Sequence, residues 1–252
     1  MTCCIAISIN NCSLAAADTR IGLSHDGTRT NHDGPHPLSV DVASLGGTLT
    51  LPYRYRKIRL ISDGWAVCAG EFTSATSILD LLKQHGAILF TQARGLLVGN
   101  EPLLRSVTSE TGIAREQLLE TVILGAPRGT ATAGWTLSLR PGDGRTHRRV
   151  DGFSISWPHA VPQKERTTAE AALRSTLQNS NSSTVPLEYA KAMGRVISVA
   201  ARFAPDVGPF IQVGETVTAA TQGNRSIYFE GLTDELLSLN EADFKQRCEV
   251  AA

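Results

Sequence analysis

The sequence lacks an excess of charge of either sign, because 24 Lys and Arg residues balance 24 Asp and Glu residues. A balanced chain gives no electrostatic reason to expect nucleic acid or an anionic membrane as a partner. Aromatic residues are only 6% of the chain, which does not favour a base-stacking surface. No run approaches the roughly 20 apolar residues of a membrane span, and a signal-peptide pattern is missing at the start. We therefore expect a cytoplasmic protein that binds neither nucleic acid nor membrane.

The five cysteines are odd in number and include no C-x-x-C pair. This pattern favours neither structural zinc nor a disulfide framework. His25, His32 and His36 lie near Asp26 and Asp33, but no pair has the i, i+4 spacing of a helical metal site, so we interpret them as loop residues. The P-loop motif for nucleotides is also missing. The sequence thus predicts no metal and no cofactor.

Short apolar runs separated by turn residues dominate the first third of the chain. Cys3–Ala17 has the pattern of a β-hairpin, and Arg59–Ala69 repeats it with a break at Asp63-Gly64, a strong hairpin turn signal. Gly22–Pro52, between them, is rich in Gly, His, Asp and Pro and shows no helical period. We expect it to be a long loop or flap.

The rest of the chain alternates helical and strand patterns. The predicted elements are a helix from Thr73, a helix over Ile113–Leu119, strands over Thr121–Ala126, Gly134–Leu139 and Arg148–Ile155, a flexible link over Gln178–Thr184, a helix over Pro186–Phe203, strands over Phe210–Val213 and Ser226–Phe229, and a helix over Thr233–Leu237. This order suits an α+β protein with a four-layer α/β/β/α sandwich, and a generic α+β domain fits it as well. No repeat or long linker divides residues 1–252, so we expect a single domain.

The first twenty residues, MTCCIAISINNCSLAAADTR, carry the most specific pattern. They resemble the proteasome β-subunit family of N-terminal-nucleophile hydrolases. In that family a mature N-terminal Thr begins a strand, and an A-A-D-[ST]-R segment returns an Asp to its side. Thr2 and Asp18 are 16 positions apart, which is the family spacing. The resemblance implies that Thr2, exposed by removal of Met1, is the nucleophile and that Asp18 orients a lysine.

The chemistry accounts for the position of the threonine. A Thr hydroxyl needs an adjacent base, and a free α-amino group with a pKa of about 8 can serve without histidine. If two residues were removed instead, Cys3 would be the nucleophile, but Asp18 would then fall one position short. We expect Thr2 to attack and Cys3 and Cys4 to be small buried strand residues.

The resemblance implies that the lysine oriented by Asp18 lies on a strand before the second hairpin. The segment YRKI at 55–58 resembles the Y-R-K segment of the ancestral β-subunit branch, Anbu, and makes Lys57 the candidate. Lys57 follows Thr2 by 55 positions, more than the family shows, so 22–52 is expected to be an insertion. Arginines at positions 54, 56 and 59 surround it. A solvated strand lysine is the alternative.

The glycine after the second hairpin is the candidate oxyanion donor. In the family, backbone N–H groups of a glycine turn stabilise the developing oxyanion. The resemblance gives this role to Gly70, where Glu71 replaces a second glycine.

A third segment, VGPFI at 207–211, resembles the V-G-P-x-I segment of the Anbu branch. The family places a Ser before this glycine, with an Asp upstream, to support the N-terminal amine. Asp206 stands in the position of that Ser, and no acid occupies the upstream position. Ser154 and Ser156 are alternative supporting residues, between which the sequence does not decide.

These features together predict a threonine-type amidohydrolase, a self-compartmentalising peptidase that cleaves peptide or amide substrates through an acyl-enzyme at Thr2. The resemblance implies a homo-oligomeric ring or helical assembly, and the sequence does not identify an unfoldase partner. Two alternatives stay open. One is an inactive scaffold or binding subunit, motivated by Glu71 and Asp206. The other is a small-molecule or peptide-tailoring amidase whose flap narrows the site.

Overall fold

Fifteen strands and six helices lie in the part of the chain that the structure, a computed structural model, describes. The described residues are 2–9, 12–25, 28–35, 37–42, 47–51, 56–62, 64–69, 72–87, 90–97, 121–125, 134–137, 146–148, 152–179, 186–219 and 223–251. The strands are β1 Cys4–Ile9, β2 Cys12–Asp18, β3 Ile21–His25, β4 Thr28–His32, β5 Leu38–Val42, β6 Gly47–Leu51, β7 Ile58–Ile61, β8 Gly64–Ala69, β9 Thr121–Gly125, β10 Gly134–Leu137, β11 Thr146–Arg148, β12 Phe153–Ser156, β13 Phe210–Ala219, β14 Gly223–Leu232 and β15 Glu249–Val250. The helices are α1 Phe72–Gln84, α2 Phe90–Leu97, α3 Gln163–Asn179, α4 Pro186–Phe203, α5 Thr233–Ser238 and α6 Glu241–Arg247.

Two antiparallel sheets contain most of the described strands. One has the order β12-β1-β2-β13-β14-β15, and the other has the order β11-β10-β9-β8-β7. Both predicted hairpins are present, as β1–β2 and as β7–β8. Mixed helices and antiparallel sheets make this an α+β protein.

The side chains of β1 contact two different cores, one on each face of the first sheet, because successive side chains of a strand point to opposite sides. Ile5 and Ile7 of β1 pack with α3 and α4 in one apolar core. Cys4 and Ala6 pack in a second core with Trp65 and Val67 of β8. The small side chains on this second face let the two sheets approach closely.

The described helices cover the sheets on separate faces. α4 contacts β2 and β13 of the first sheet, and α1 contacts β7 and β8 of the second. α3 packs on α4 but buries only Ala169 and Leu173. No helix within the described residues is long and apolar enough to cross a membrane.

The segment 22–52 differs from the expected loop. It contains two hairpins, β3–β4 and β5–β6, each of which forms a separate two-stranded sheet. α3 and α6 were also missed, since α3 is rich in polar residues and buries little, and α6 is short. β12 pairs with β1 and not with β10, so the predicted strand over 148–155 is two strands in two sheets. The predicted helix over 113–119 lies outside the described residues.

Candidate active site

Asp18, the last residue of β2, has no solvent exposure. Its Oδ2 accepts the Cys3 N–H at 3.0 Å, and its Oδ1 accepts the N–H groups of Arg20 at 3.1 Å and Gly208 at 3.4 Å. Three backbone donors therefore fix the carboxylate. Burial raises the pKa of the Asp18 carboxyl above its usual value, while the Lys57 ammonium and the Cys3 and Gly208 N–H groups lower it.

Lys57 immediately precedes β7 and is only 4% exposed. Its Nζ donates to Thr2 Oγ1 at 3.0 Å, to Asp18 Oδ1 at 3.3 Å and to the Arg20 carbonyl at 2.6 Å. An ammonium has three donors, so these three acceptors satisfy it fully. The Lys57 N–H is also fixed, because it donates to the Gln212 side-chain oxygen at 2.9 Å.

Thr2 lies just before β1 and is partly buried. The peptide N–H that follows it belongs to Cys3 and is held by Asp18, so Asp18 positions both the backbone beside Thr2 and the lysine that contacts its hydroxyl. An ammonium that donates to a hydroxyl oxygen stabilises the negative charge that oxygen gains when it loses its proton. The arrangement favours Thr2 Oγ1 as a nucleophile.

The neighbouring thiols have a different environment. Cys3 and Cys4 are fully buried. Burial raises the pKa of the Cys3 thiol well above its usual value, and burial likewise raises the pKa of Cys4. Since the thiolate is the reactive form of cysteine, both side chains are poor nucleophiles in this position.

The other predicted site residues belong to three separate parts of the chain. β12 places Ser156 opposite Cys4 and Ser154 opposite Ala6. Asp206 lies in the turn between α4 and β13, and its charge contributes to raising the pKa of Arg20, after the larger effect of the hydrogen bond from Arg20 to Asp33. Gly70 and Glu71 lie outside the described residues, so the proposed oxyanion donor has no described geometry.

Three residues that contact Asp18 or Lys57 have no role predicted from the sequence, namely Gly208, Gln212 and Arg20. Gly208 belongs to the 207–211 segment and gives its N–H to Asp18, 190 positions away. Arg20 contributes its backbone carbonyl, a group present in every residue, so side-chain chemistry gave no signal for it. Among the described residues no cluster of His, Cys, Asp and Glu side chains is arranged to hold a metal ion.

Comparison with known proteins gives structural matches only. Neither a family model nor a curated protein sequence matches the chain. The solved structure of BPH from Thiobacillus denitrificans, in complex with epoxomicin, matches with a TM-score of 0.52 and 12% identity over 86% of this chain and 99% of that one. An Anbu Gly-1 mutant from Hyphomicrobium sp. strain MC1 matches with a TM-score of 0.53 and 15% identity over 98% of this chain and 96% of the other.

The chain has a proteasome-like fold. This confirms the resemblance that the first twenty residues carry. At such low identity the likeness concerns the fold alone, and the activity has to be argued from the side chains. In this fold, Lys57 Nζ lies within hydrogen-bonding distance of both Thr2 Oγ1 and Asp18 Oδ1, although Lys57 and Thr2 are 55 positions apart.

Proposed function

We propose that the protein is a threonine-type amidohydrolase in which Thr2 Oγ1 attacks the carbonyl carbon of an amide. The observation that carries this proposal is the 3.0 Å contact from Lys57 Nζ to Thr2 Oγ1, with the same Nζ bound to Asp18 and to the Arg20 carbonyl. A buried lysine with these three acceptors is not the solvated strand lysine of the alternative interpretation.

The reaction requires that Met1 be removed, because the proposed base is the free α-amino group of Thr2. That amine takes the proton of Oγ1 as the Oγ1–carbon bond forms, and a tetrahedral oxyanion results. The protonated amine then gives its proton to the leaving nitrogen as the carbon–nitrogen bond breaks, which leaves an ester on Thr2. A water molecule, deprotonated by the same amine, attacks the ester, releases the acid and restores the hydroxyl.

Lys57 and Asp18 contribute electrostatically in this scheme. The ammonium faces Oγ1 and favours its alkoxide, and preorganised charge of this kind is often a large catalytic contribution. Asp18 keeps the ammonium in place and receives the Cys3 N–H, so the strand that carries Thr2 and the lysine share one anchor. Gly70 is proposed as the oxyanion donor, with Ser154, Ser156 and Asp206 as candidates to support the amine.

The wider organisation is also a proposal. A single domain over 1–252, with a four-layer α/β/β/α sandwich and an inserted 22–52 segment, agrees with the described sheets and helices. Peptides are the proposed substrates, within a homo-oligomeric ring or helical assembly. The proteasome-like fold supports this, and so does the match to BPH, whose structure contains epoxomicin.

Turnover of a broad panel of peptide and acyl-amide substrates tests the proposal. Thr2→Ala should abolish hydrolysis, and Thr2→Ser should retain part of it because Ser keeps a hydroxyl beside the amine. Cys3→Ala is the matched control at the neighbouring position and should keep its rate. If Thr2→Ala hydrolyses amides as fast as the wild type, the nucleophile is wrong. If the wild type hydrolyses nothing in the panel, the inactive scaffold is the better account.

A further inference from the structure

An ion pair links the 22–52 segment to the site. Arg20 Nε donates to Asp33 Oδ1 at 2.7 Å, and its Nη2 donates to Asp33 Oδ2 at 2.8 Å. This is the bidentate geometry that makes Arg–carboxylate pairs both strong and directional. The two side chains are 21% and 27% exposed, so the pair is partly shielded from water.

A second contact reinforces the link one residue later. The Gly34 N–H donates to Thr19 Oγ1 at 2.8 Å in a buried position. A Cβ at Gly34 would lie 2.9 Å from that same oxygen, so only glycine permits the approach. Residues 33 and 34, which follow β4, are therefore fastened to Thr19 and Arg20, the two residues that follow Asp18.

The Gly208 backbone also packs against Asp33. A Cβ at Gly208 would collide with Asp33 Oδ1, so the Asp33 carboxylate lies directly against the Gly208 backbone. The Gly208 N–H is one of the donors that hold Asp18. Asp33 thus contacts two of the residues that define the Asp18–Lys57 arrangement, namely Arg20 and Gly208.

We propose that Asp33 is a positioning residue for Lys57. It holds the Arg20 guanidinium from outside, and the backbone carbonyl of Arg20 is the acceptor of the 2.6 Å bond from Lys57 Nζ. The 22–52 segment then has a role in catalysis, because Asp33 sets the position of the Arg20 carbonyl that binds the lysine facing Thr2. The inference rests on the proposed function.

Asp33 acts through Arg20 and touches neither Thr2 nor Lys57 in any described hydrogen bond. Its loss should therefore slow the chemical step without weakening the binding of a ligand. A residue with a merely structural role would lower the melting temperature and the fraction of competent protein, but each competent molecule would react at the normal rate. The rate constant at saturation separates these two cases.

The test uses epoxomicin labelling of the full chain, followed by intact mass over time. In Asp33→Asn, which keeps the shape and removes the charge, we expect the maximal labelling rate constant kinact to fall about tenfold, with the half-saturating concentration unchanged. Arg20→Lys removes the planar two-pronged donor but keeps the carbonyl, and should fall similarly, with the double variant no worse than either single one. Glu235→Gln, which breaks an Arg247–carboxylate pair between α5 and α6, is the matched control and should label at the wild-type rate.

Hydrogen exchange of the Arg20 and Gly208 amides gives a readout that needs no activity. Both amides donate to Asp18, and both should exchange faster in Asp33→Asn than in the wild type. A wild-type kinact in Asp33→Asn would overturn the inference, even if the two amides exchange faster. If the wild type itself is not labelled, the proposed function fails, and the exchange result alone then decides whether Asp33 positions the site.

Discussion

The buried carboxyl of Glu215 gives a stability prediction that is independent of catalysis. Glu215 lies on β13 opposite Leu14 and Ile227 and is 1% exposed. Among the described residues neither of its carboxyl oxygens has a hydrogen-bond partner. Burial raises the pKa of Glu215 well above its usual value, so the folded protein holds this group protonated at pH values where the unfolded chain has released the proton.

The sign of the pH dependence follows from that shift. Because the pKa of this acid is raised in the folded state, the pH-dependent part of its cost is absent below the unfolded pKa of about 4.3 and grows as the pH rises above it. The cost of burying the protonated carboxyl is present at every pH. Glu215→Met replaces the carboxyl by an apolar side chain of similar size. A buried unsatisfied polar group costs about 1–3 kcal/mol, and in a chain of this length each kcal/mol moves the melting temperature by roughly 2–4 °C.

Thermal unfolding of the two proteins at equal concentration, from pH 4 to pH 8, measures this effect. We expect Glu215→Met to melt at a higher temperature, with a difference that increases with pH. Comparing the variant with the wild type cancels other titrating groups, including Asp18. A variant that is less stable than the wild type at every pH, or a difference that does not change with pH, would refute the reasoning.

Three further predictions concern the site, the sheet packing and the assembly. Lys57→Ala should lower turnover by about a hundredfold or more, because the Thr2 alkoxide loses its facing charge, and steady-state kinetics with circular dichroism should show a folded but slow protein; wild-type rates would give the role to another residue. Gly214→Ala should destabilise the fold by about 1–3 kcal/mol in urea unfolding, since the new Cβ would run into the Trp65 ring between the two sheets; unchanged stability would mean that the sheets can separate there at little cost. Light scattering over a concentration series should find a homo-oligomer; a monomer throughout would remove the compartment but leave the amidase chemistry standing.

The parts of the fold that the sequence predicts depend on patterns among neighbouring residues. The hairpins β1–β2 and β7–β8 follow from alternating apolar runs around short polar turns, which depend on neighbouring residues only. The position of Asp18 beside Cys3, the residue that follows Thr2, comes from the same hairpin, since β1 and β2 are adjacent strands. The long helix α4 was predicted with its observed bounds because its apolar stripe is strong.

Contacts between distant segments were not readable in the same way. Lys57 was a candidate among several nearby basic residues, and only the fold shows that its Nζ reaches Thr2 and Asp18. The sequence predicts Asp33 only as a loop residue, because nothing local indicates that Arg20 binds it. The strands of the 22–52 segment were missed since its polar and glycine-rich composition masks the alternation on which strand prediction depends.

The central claim is that Thr2 attacks with its own amine as the base, and one measurement tests both parts. An epoxyketone such as epoxomicin can join the hydroxyl and the amine of an N-terminal Thr or Ser in one ring. Peptide mapping by tandem mass spectrometry then locates the residue that carries the adduct. The account predicts a modified peptide that begins at Thr2, lacks Met1 and carries the label on Thr2. A fully active protein that retains Met1, or a label on Cys3 or any other residue, would contradict it.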